Sequence, residues 1–321
     1  MDWLTGIFAG VQGWLFQVLV QPALFALDMG NLFEDAYGAT AWFLMGVVQV
    51  IVLLTVIGPL QRWRPVEVMD SPADRASIRI DVLYTLIHRL GLFRLALFFT
   101  LDPWFDTAFG ALRTAGHGTF HLDQLWPGIT DKPVVSLLIY LLAFDFVAYW
   151  THRGQHQIEW WWRLHSLHHS QRQMTMWSDN RNHLLDSIVL DSIVVVVAQL
   201  IGVASDQFIV IVALTQLSES FQHANLRLSF GRIGERLWVS PRFHRLHHSI
   251  DIGHETNGPK TLGGYNFGVL LPWWDMLFGT ANFEQRYEPT GVRDQIEAHR
   301  DYGSGFWSQQ WLGMKRLFGR A

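Results

Sequence analysis

The sequence contains no cysteine, and only 16% of its 321 residues are charged. Without cysteine there is no disulfide framework, no thiolate metal site and no iron–sulfur cluster held by the chain. A Gly-x-Gly-x-x-Gly fingerprint is also missing, so a flavin or nicotinamide cofactor bound by that motif is not expected. The net charge of −4 offers no basic surface for nucleic acid. These absences exclude several common classes of enzyme and binding protein.

What the chain has in excess is apolar and aromatic side chains, at 50% hydrophobic residues with 16 tryptophans. That composition is typical of an integral membrane protein rather than of a soluble domain. Four apolar runs approach the length of about 20 residues that a bilayer requires. We predict spans at 7–27, 41–60, 82–101 and 134–150, followed by a helical hairpin made of 184–204 and 207–217. The interruption at Ser205 and Asp206 marks the turn of that hairpin.

The distribution of arginine predicts how the chain is oriented. Residues 61–80 contain four arginines, whereas residues 28–40 contain three acidic residues and no basic one. Basic loops favour the cytoplasmic side, which places the N-terminus inside and 102–133 outside. The first residues lack the basic region of a cleaved signal peptide, so we expect the first apolar run to be retained. The predicted protein is multi-pass, in a bacterial inner membrane or an equivalent one.

Histidines are concentrated after the fourth predicted span in three clusters with helical spacing. His152 and His156 are four residues apart, and residues three or four apart share a helix face. The two other clusters lie in the related octets Arg163–Ser170 and Arg242–Ser249, and contribute His165, His168, His169, His244, His247 and His248. Neutral imidazole is a good ligand for iron, zinc, copper or nickel. The eight residues predict a polyhistidine metal centre at the cytoplasmic end of the spans.

Three single residues complete the candidate site. His183 and His223 flank the predicted hairpin, which would return both of them to the histidine clusters. Asp145 lies near the end of a span, and an acidic residue at such a position is a functional candidate. Helix capping or packing would also explain Asp145, but we favour a hydrogen bond from a ligand histidine. The run 160–162 of three tryptophans is interpreted as part of an interfacial belt.

These motifs together resemble the fatty acid hydroxylase and sterol desaturase superfamily of membrane di-iron enzymes. The resemblance covers about 137–280 and is carried by Asp145-x-x-x-Tyr-Trp-x-His152-Arg-x-x-His156, by both His-x-x-His-His boxes, and by a tail of Asn266-Phe-Gly268 with Trp274-Asp-Met-Leu-Phe-Gly-Thr280. It implies ten ligands to two irons: His152, His156, His165, His168, His169, His183, His223, His244, His247 and His248. Asp145 and Asn266 are assigned to the catalytic residues.

The resemblance also implies an organisation. The expected fold is all-α: about four spans, a helical hairpin and a cytoplasmic histidine-rich di-iron cap. We predict N-terminal membrane helices at 1–133, the di-iron domain at 134–280 and a C-terminal tail at 281–321. Two regions depart from the family pattern: the connector 250–264 is longer than usual, and the N-terminal third matches nothing recognisable. Both lie where substrate choice could be set.

The function implied is oxygen-dependent oxidation of a membrane lipid, with O2 as co-substrate. Electrons would come from a separate reductase, ferredoxin-like or cytochrome-type donor. Hydroxylation is the leading hypothesis, and an acyl or ether lipid is preferred to a sterol; desaturation by the same centre is the alternative. A zinc-dependent membrane hydrolase and a metal carrier stay open, but ten histidines exceed what one zinc site needs.

Overall fold

The computed structural model describes residues 2–250 and 262–320. Within those ranges the regular secondary structure is all helical and includes no β-strand; the one β-bridge pairs Ser249 with Thr290. The expected all-α class is therefore confirmed. The expectation of a long connector at 250–264 falls mostly on residues 251–261, which lie outside the described residues.

The first two long helices are each built from three segments. α1 (Asp2–Leu15) continues through a π-helical turn (Phe16–Val20) into α2 (Gln21–Ala26), and a 3₁₀ turn (Gly30–Leu32) leads into α3 (Phe33–Val52), a second π turn (Leu53–Ile57) and α4 (Gly58–Trp63). Pro22 and Pro59 each follow a π turn. A helical proline clashes with the carbonyl four residues earlier, and the wider turn moves that carbonyl aside. Both helices therefore continue past their prolines.

Both helices are long and apolar enough to span a membrane, at Thr5–Ala26 and Gly30–Trp63. This agrees with the predicted spans at 7–27 and 41–60, although the second helix is much longer than expected. The acidic stretch predicted as a loop at 28–40 is mostly helical, because the 3₁₀ turn begins at Gly30 and α3 at Phe33. Only residues 27–29 interrupt the helices there.

The third predicted span, 82–101, is not a straight helix. α5 (Pro72–Arg89) and α6 (Leu92–Thr100) meet at an angle of 49°. Gly91 lies between them with φ of 78°, a left-handed conformation that glycine adopts without steric cost. The pair forms either one broken span or a re-entrant segment, and α7 (Asp102–Thr114) follows it. Charged residues explain the departure, since Arg89 is buried in an ion pair with Asp179.

The next helices carry the histidines. α8 (Pro133–Gln157) is separated by Ile158 from α9 (Glu159–His169), and a 3₁₀ turn (Ser178–Asn180) precedes the hairpin of α10 (Leu184–Ile201) and α11 (Ser205–His223). α8 and α10 both have the length and hydropathy of membrane spans. The described chain thus has four candidate spans, or five if the bent pair counts as one. The predicted hairpin is present, and its first arm is itself a candidate span.

The remaining helices follow the hairpin in the sequence and are short. They are α12 (Gly231–Gly234), α13 (Pro241–His247), α14 (Trp273–Leu277), α15 (Asp294–Glu297) and α16 (Phe306–Leu317). α16 packs on α9, and buried Gln310 of α16 donates a hydrogen bond to the Tyr84 hydroxyl on α5 at 2.8 Å. The predicted C-terminal tail is therefore folded against the helices that carry the histidines. The domain boundary at 280 stays a prediction.

Candidate metal centre

Eight of the ten predicted ligand histidines lie in two compact groups. Among the described residues, these are the groups in which one nitrogen from each ring lies within 4.8 Å of the others. We call them group A (His152, His156, His169 and His247) and group B (His168, His223, His244 and His248). All eight side chains are buried. The structure thus brings together histidines that are up to 96 positions apart in the sequence.

Helical spacing explains how each element contributes. His152 and His156 lie one turn apart on α8 and both enter group A. The two octets divide between the groups: α9 gives His169 to group A and His168 to group B, while the second octet gives His247 to group A. Adjacent residues on a helix point about 100° apart, so a His-His pair can serve two neighbouring sites. The duplicated His-x-x-His-His pattern suits two metal ions side by side.

The ring nitrogens of both groups have the separations that metal ligands require. His156 Nε2 lies 3.0 Å from His169 Nε2. In group B, Nε2 of His223 lies 3.2 Å from those of His168 and His244, and the Nε2 atoms of His244 and His248 are 3.1 Å apart. Nitrogens bonded tetrahedrally to one ion at about 2.1 Å would be roughly 3.4 Å apart. The donor set in each group therefore fits one metal ion.

Main-chain carbonyls fix the orientation and tautomer of three of these rings. Nδ1 of His152 donates to the Phe267 carbonyl at 2.9 Å, and Nδ1 of His223 donates to the Glu219 carbonyl at 2.8 Å. Nδ1 of His247 donates to the Tyr265 carbonyl at 2.7 Å. A proton on Nδ1 leaves Nε2 deprotonated and able to bind a metal. All three Nε2 atoms are therefore in the form that a ligand needs.

Burial favours the neutral, metal-binding form of the imidazoles outside the spans. It holds the pKa of His168, His244 and His248 well below the ordinary histidine value, and neighbouring histidines lower each pKa further. A buried cation without a counter-ion is costly, and a second cation nearby would add repulsion. These rings are therefore neutral at physiological pH. Neutral imidazole is the ligand that iron and zinc accept.

His165 lies between the two groups without belonging to either. Its ring centroid is 5.1 Å from that of His156 in group A and 5.2 Å from that of His168 in group B. Nδ1 lies 3.1 Å from Oδ2 of Asp186, while the buried Nε2 has no hydrogen-bond partner. A buried polar atom without a partner is costly, and a metal ion would satisfy this one. His165 therefore remains a candidate ligand.

His183 is placed differently from the ligand position expected for it. It caps the N-terminus of α10, where Nδ1 accepts a hydrogen bond from the Leu185 amide at 3.2 Å. Its Nε2 lies 2.9 Å from the Gln310 carbonyl and donates to it. Both nitrogens are thus engaged, and neither group includes His183. A cap and a contact with α16 account for this histidine better than metal binding does.

Asp145 does not accept a hydrogen bond from a ligand histidine, contrary to the preferred expectation. Its carboxylate accepts from the Leu270 amide at 2.8 Å and from the Trp274 indole at 2.9 Å. Seven residues separate it from His152, which is about 10 Å along a helix. Asp145 instead ties α8 to the segment that follows the second octet. That packing role was the alternative weighed for it.

Asn266 serves the backbone in the same way. Its side-chain amide donates to the carbonyls of Phe243 and Asn282, both at 2.9 Å, and its carbonyl oxygen accepts from the Asn282 amide at 2.6 Å. The residue has φ of 62°, in the left-handed region that asparagine tolerates better than most residues. Asn266 therefore shapes the turn that presents the Tyr265 and Phe267 carbonyls. It acts as a positioning residue for His247 and His152.

Asp275 fixes the same turn from the other side, a role that sequence reasoning missed. Its carboxylate accepts from the amides of Phe267 and Gly268 at 2.8 and 2.7 Å, and from the Thr280 hydroxyl at 2.6 Å. Burial raises the pKa of Asp275 to about 6, which the three hydrogen bonds oppose. The Asn-x-Gly tail followed by Trp-Asp was the available signal. Its structural meaning depends on contacts that the sequence does not display.

Asp186 is the second important residue that was not singled out as a site residue. Besides His165, it accepts hydrogen bonds from the Gln155 amide at 2.8 Å and the Trp161 indole at 2.7 Å. Trp161 is therefore buried, unlike the interfacial position expected for the tryptophan run, whereas Trp160 is exposed. The available signal in the sequence was an acidic residue three positions after His183.

Comparison with known proteins agrees with this geometry. Residues 137–280 match the family model described as fatty acid hydroxylase. The chain is 27% identical over 253 residues to ornithine lipid hydroxylase OlsE of Rhizobium tropici, an alignment that covers 78% of this chain and 70% of that protein. No solved structure gives a significant match. The matched region contains all eight histidines of groups A and B.

Two further relatives match shorter stretches. Fatty acid hydroxylase vlmA of a Lecanicillium species is 23% identical, over 50% of this chain and 45% of its own length. Alkylglycerol monooxygenase of Caenorhabditis elegans is 25% identical, over 47% of this chain and 28% of its own length. The chain therefore spans less than half of these two proteins. All three relatives carry hydroxylase or monooxygenase names, which supports an oxidoreductase that modifies a lipid.

Proposed function

We propose, from the match of residues 137–280 to the fatty acid hydroxylase model, that the protein is a membrane di-iron oxygenase that hydroxylates a lipid at an unactivated C–H bond. The observation that carries the proposal is the pair of adjacent, buried, all-histidine groups. One zinc-dependent hydrolytic site would need a single such group with an open position. Two groups linked by the His168–His169 pair favour a two-metal centre.

The overall reaction is R–H + O2 + 2 e⁻ + 2 H⁺ → R–OH + H2O. Two irons, when bound, would supply the reduction of O2 and the removal of hydrogen from the substrate carbon. The chain supplies the ligand geometry: neutral imidazoles, with tautomers fixed by the carbonyls of Phe267, Tyr265 and Glu219. Burial of the ligand set excludes bulk water, which protects a reactive centre from side reactions.

Electrons for this reaction come from a separate protein in our proposal. The sequence has no cysteine for an iron–sulfur cluster and no Gly-x-Gly-x-x-Gly motif for a dinucleotide. A reductase, a ferredoxin-like protein or a cytochrome-type donor would approach from the side that carries the histidines. We place that side in the cytoplasm because of the arginines of residues 61–80.

The substrate we propose is a membrane lipid, with an acyl or ether lipid favoured over a sterol. Several helices expose large apolar side chains to the surroundings, as a bilayer protein does, and a soluble substrate would not require them. The histidine groups lie at the ends of α8 and α11, so the oxidised carbon reaches the level of the lipid headgroups. The names of the relatives agree with a lipid substrate.

Two measurements test the proposal. Metal analysis of protein purified without oxygen should give two irons per chain; zinc alone after expression in iron-rich medium would favour a hydrolase. Lipid mass spectrometry of cells grown with oxygen should show one lipid that gains a single oxygen when the wild-type protein is present, and no change with His168→Ala. A lipid that loses two hydrogens would instead indicate desaturation, which begins with the same hydrogen removal.

A further inference from the structure

A cavity of about 320 Å³ extends through the helices toward the metal centre. Aromatic side chains line one part of it, including Trp42, Phe144 and Phe208, whose rings pack at centroid distances of 5.5 to 5.9 Å. The part nearer the histidines is polar and is lined by Asp145, Asp179, Asn182 and Glu219. The cavity therefore has an apolar end and a polar end, as a lipid does.

The polar end lies one helical turn from both histidine groups. Ala148 on α8 and Glu219 on α11 line the cavity, and each stands four residues before a ligand candidate, His152 of group A and His223 of group B. Four residues correspond to about 6 Å along a helix. A molecule whose polar group occupies this end would have its nearest carbons beside the metal centre.

Most charges that line the cavity are already satisfied by the protein. Arg89 pairs with Asp179 at 2.5 Å, Arg94 pairs with Asp191 at 2.7 Å, and Asp145 accepts hydrogen bonds from Leu270 and Trp274. Glu219 is different, because no described residue donates a hydrogen bond to its carboxylate. The lining thus has two guanidiniums and four carboxylates, and neither guanidinium pairs with Glu219.

A carboxylate that has no hydrogen-bond or ion-pair partner and lies near other carboxylates is stabilised in its charged form by a cation. We propose that Glu219 binds the ammonium group of a lipid substrate in this cavity, and that the oxidised C–H bond lies within a few bonds of that nitrogen. The oxidation near the nitrogen rests on the proposed hydroxylase function, whereas the binding of an ammonium group by Glu219 does not depend on it. The Glu219 site makes the substrate an amine-bearing lipid that is oxidised near its polar end.

The test compares two probes that differ only in charge, dodecylamine and dodecanol. Each would be titrated into full-length, metal-loaded protein in phosphatidylcholine nanodiscs, with empty nanodiscs as the partitioning blank. Wild-type protein should bind the amine roughly tenfold more tightly than the alcohol, as a charged hydrogen bond provides. Glu219→Gln should abolish that difference and leave the affinity for the alcohol unchanged.

A matched control is Glu284→Gln, which removes a surface carboxylate that pairs with Arg286 and should leave the binding of both probes unchanged. Metal content should also be unchanged in Glu219→Gln, because Glu219 contacts His223 through its main-chain carbonyl only. Equal binding of the two probes to the wild-type protein, or full amine affinity in Glu219→Gln, would overturn the proposal.

Lipid mass spectrometry separates this inference from the proposed function. A hydroxylated product that carries an ammonium group, with the new hydroxyl close to nitrogen, supports both. A product lipid without a cationic group, formed equally by Glu219→Gln, refutes the Glu219 site and leaves the hydroxylase function standing. Glu219-dependent binding of dodecylamine with no lipid gaining oxygen refutes the function and keeps the site.

Discussion

Nδ1 of His165 lies 3.1 Å from Oδ2 of Asp186, and both side chains are buried. The Gln155 amide and the Trp161 indole both donate to Oδ1 of Asp186 and hold the carboxylate in place. Oδ2 therefore faces His165, and because a carboxylate oxygen only accepts, the imidazole is the donor. This fixes the proton of His165 on Nδ1 and leaves Nε2 directed among the histidines of both groups. A carboxylate that accepts from a ligand histidine also raises the basicity of the metal-binding nitrogen.

Asp186→Asn should weaken metal binding by about 10- to 100-fold, the usual cost of losing such a contact. The asparagine amide can turn an N–H group toward His165, which favours the opposite tautomer with a proton on Nε2. Chelator competition followed by metal analysis would measure the loss. Glu159→Gln, which alters an exposed ion pair with Arg163 on the same helix as His165, is the control. Equal metal retention in the two variants would contradict a role for Asp186.

The two histidine groups should respond separately to substitution. His247→Ala removes a ligand candidate from group A and His168→Ala removes one from group B. We expect each variant to retain less than two metal ions per chain and to lose activity, while the membrane helices stay folded because they satisfy their own backbone hydrogen bonds. Metal analysis and circular dichroism would measure the two effects. His117→Ala, in an exposed loop, is the control. Two metal ions per chain and full turnover in both ligand variants would contradict the assignment of groups A and B as ligands.

His165 and His183 should behave differently although the sequence predicts both as ligands. Asparagine at position 183 can still accept the Leu185 amide as a helix cap, so His183→Asn should keep two metal ions with some loss of stability. His165→Asn should lower metal content, because a buried Nε2 among the histidines is removed. Metal stoichiometry together with thermal unfolding would distinguish the two outcomes. Metal loss in His183→Asn equal to that in His165→Asn would restore the ten-ligand set.

The contrast between these residues shows what sequence can and cannot predict here. Helical spacing was enough to group His152 with His156, because a four-residue separation acts within one helix. It did not show that His168 and His169 would enter different groups. The positions of His183 and Asp145 depend on distant partners, Gln310 and Leu270, that no local pattern reveals. The bend at Gly91 was missed for the same reason, since apolar content predicts a span but not a break within it. Chemistry carried by a local motif was predictable, whereas tertiary contacts were not.

The orientation in the membrane can be tested with single cysteines, since the sequence has none. Val68→Cys is a suitable position, because that side chain is 81% exposed in the arginine-rich loop. It also lies outside the capping box that Ser71 and Asp74 form at the start of α5. We expect it to react with a membrane-impermeant maleimide only from the cytoplasmic face, and His117→Cys only from the opposite face. The reverse labelling pattern would move the metal centre to the other side of the membrane.

The C-terminal helix should lie in the membrane interface. Gln310 of α16 contacts His183 and accepts from the Leu184 amide, so α16 is level with the first turn of α10, a candidate span. The opposite face of α16 exposes Trp307 and Trp311, at 77% and 63%. Tryptophan beside a cationic residue is typical of the headgroup region, and the Lys315 ammonium lies 5.7 Å from the Trp311 ring.

A nitroxide attached at Trp311→Cys would report that environment by its relative accessibility to O2, which concentrates in bilayers, and to a water-soluble nickel chelate. Leu54→Cys, on the exposed side of the second span, gives the bilayer reference, and Glu284→Cys gives the aqueous one. We expect position 311 to fall between the two, because an interfacial helix buries its apolar face by only about 5–10 Å. A value equal to that at position 284 would mean that α16 packs on α9 in water. The contact between α16 and His183 would then be independent of the membrane.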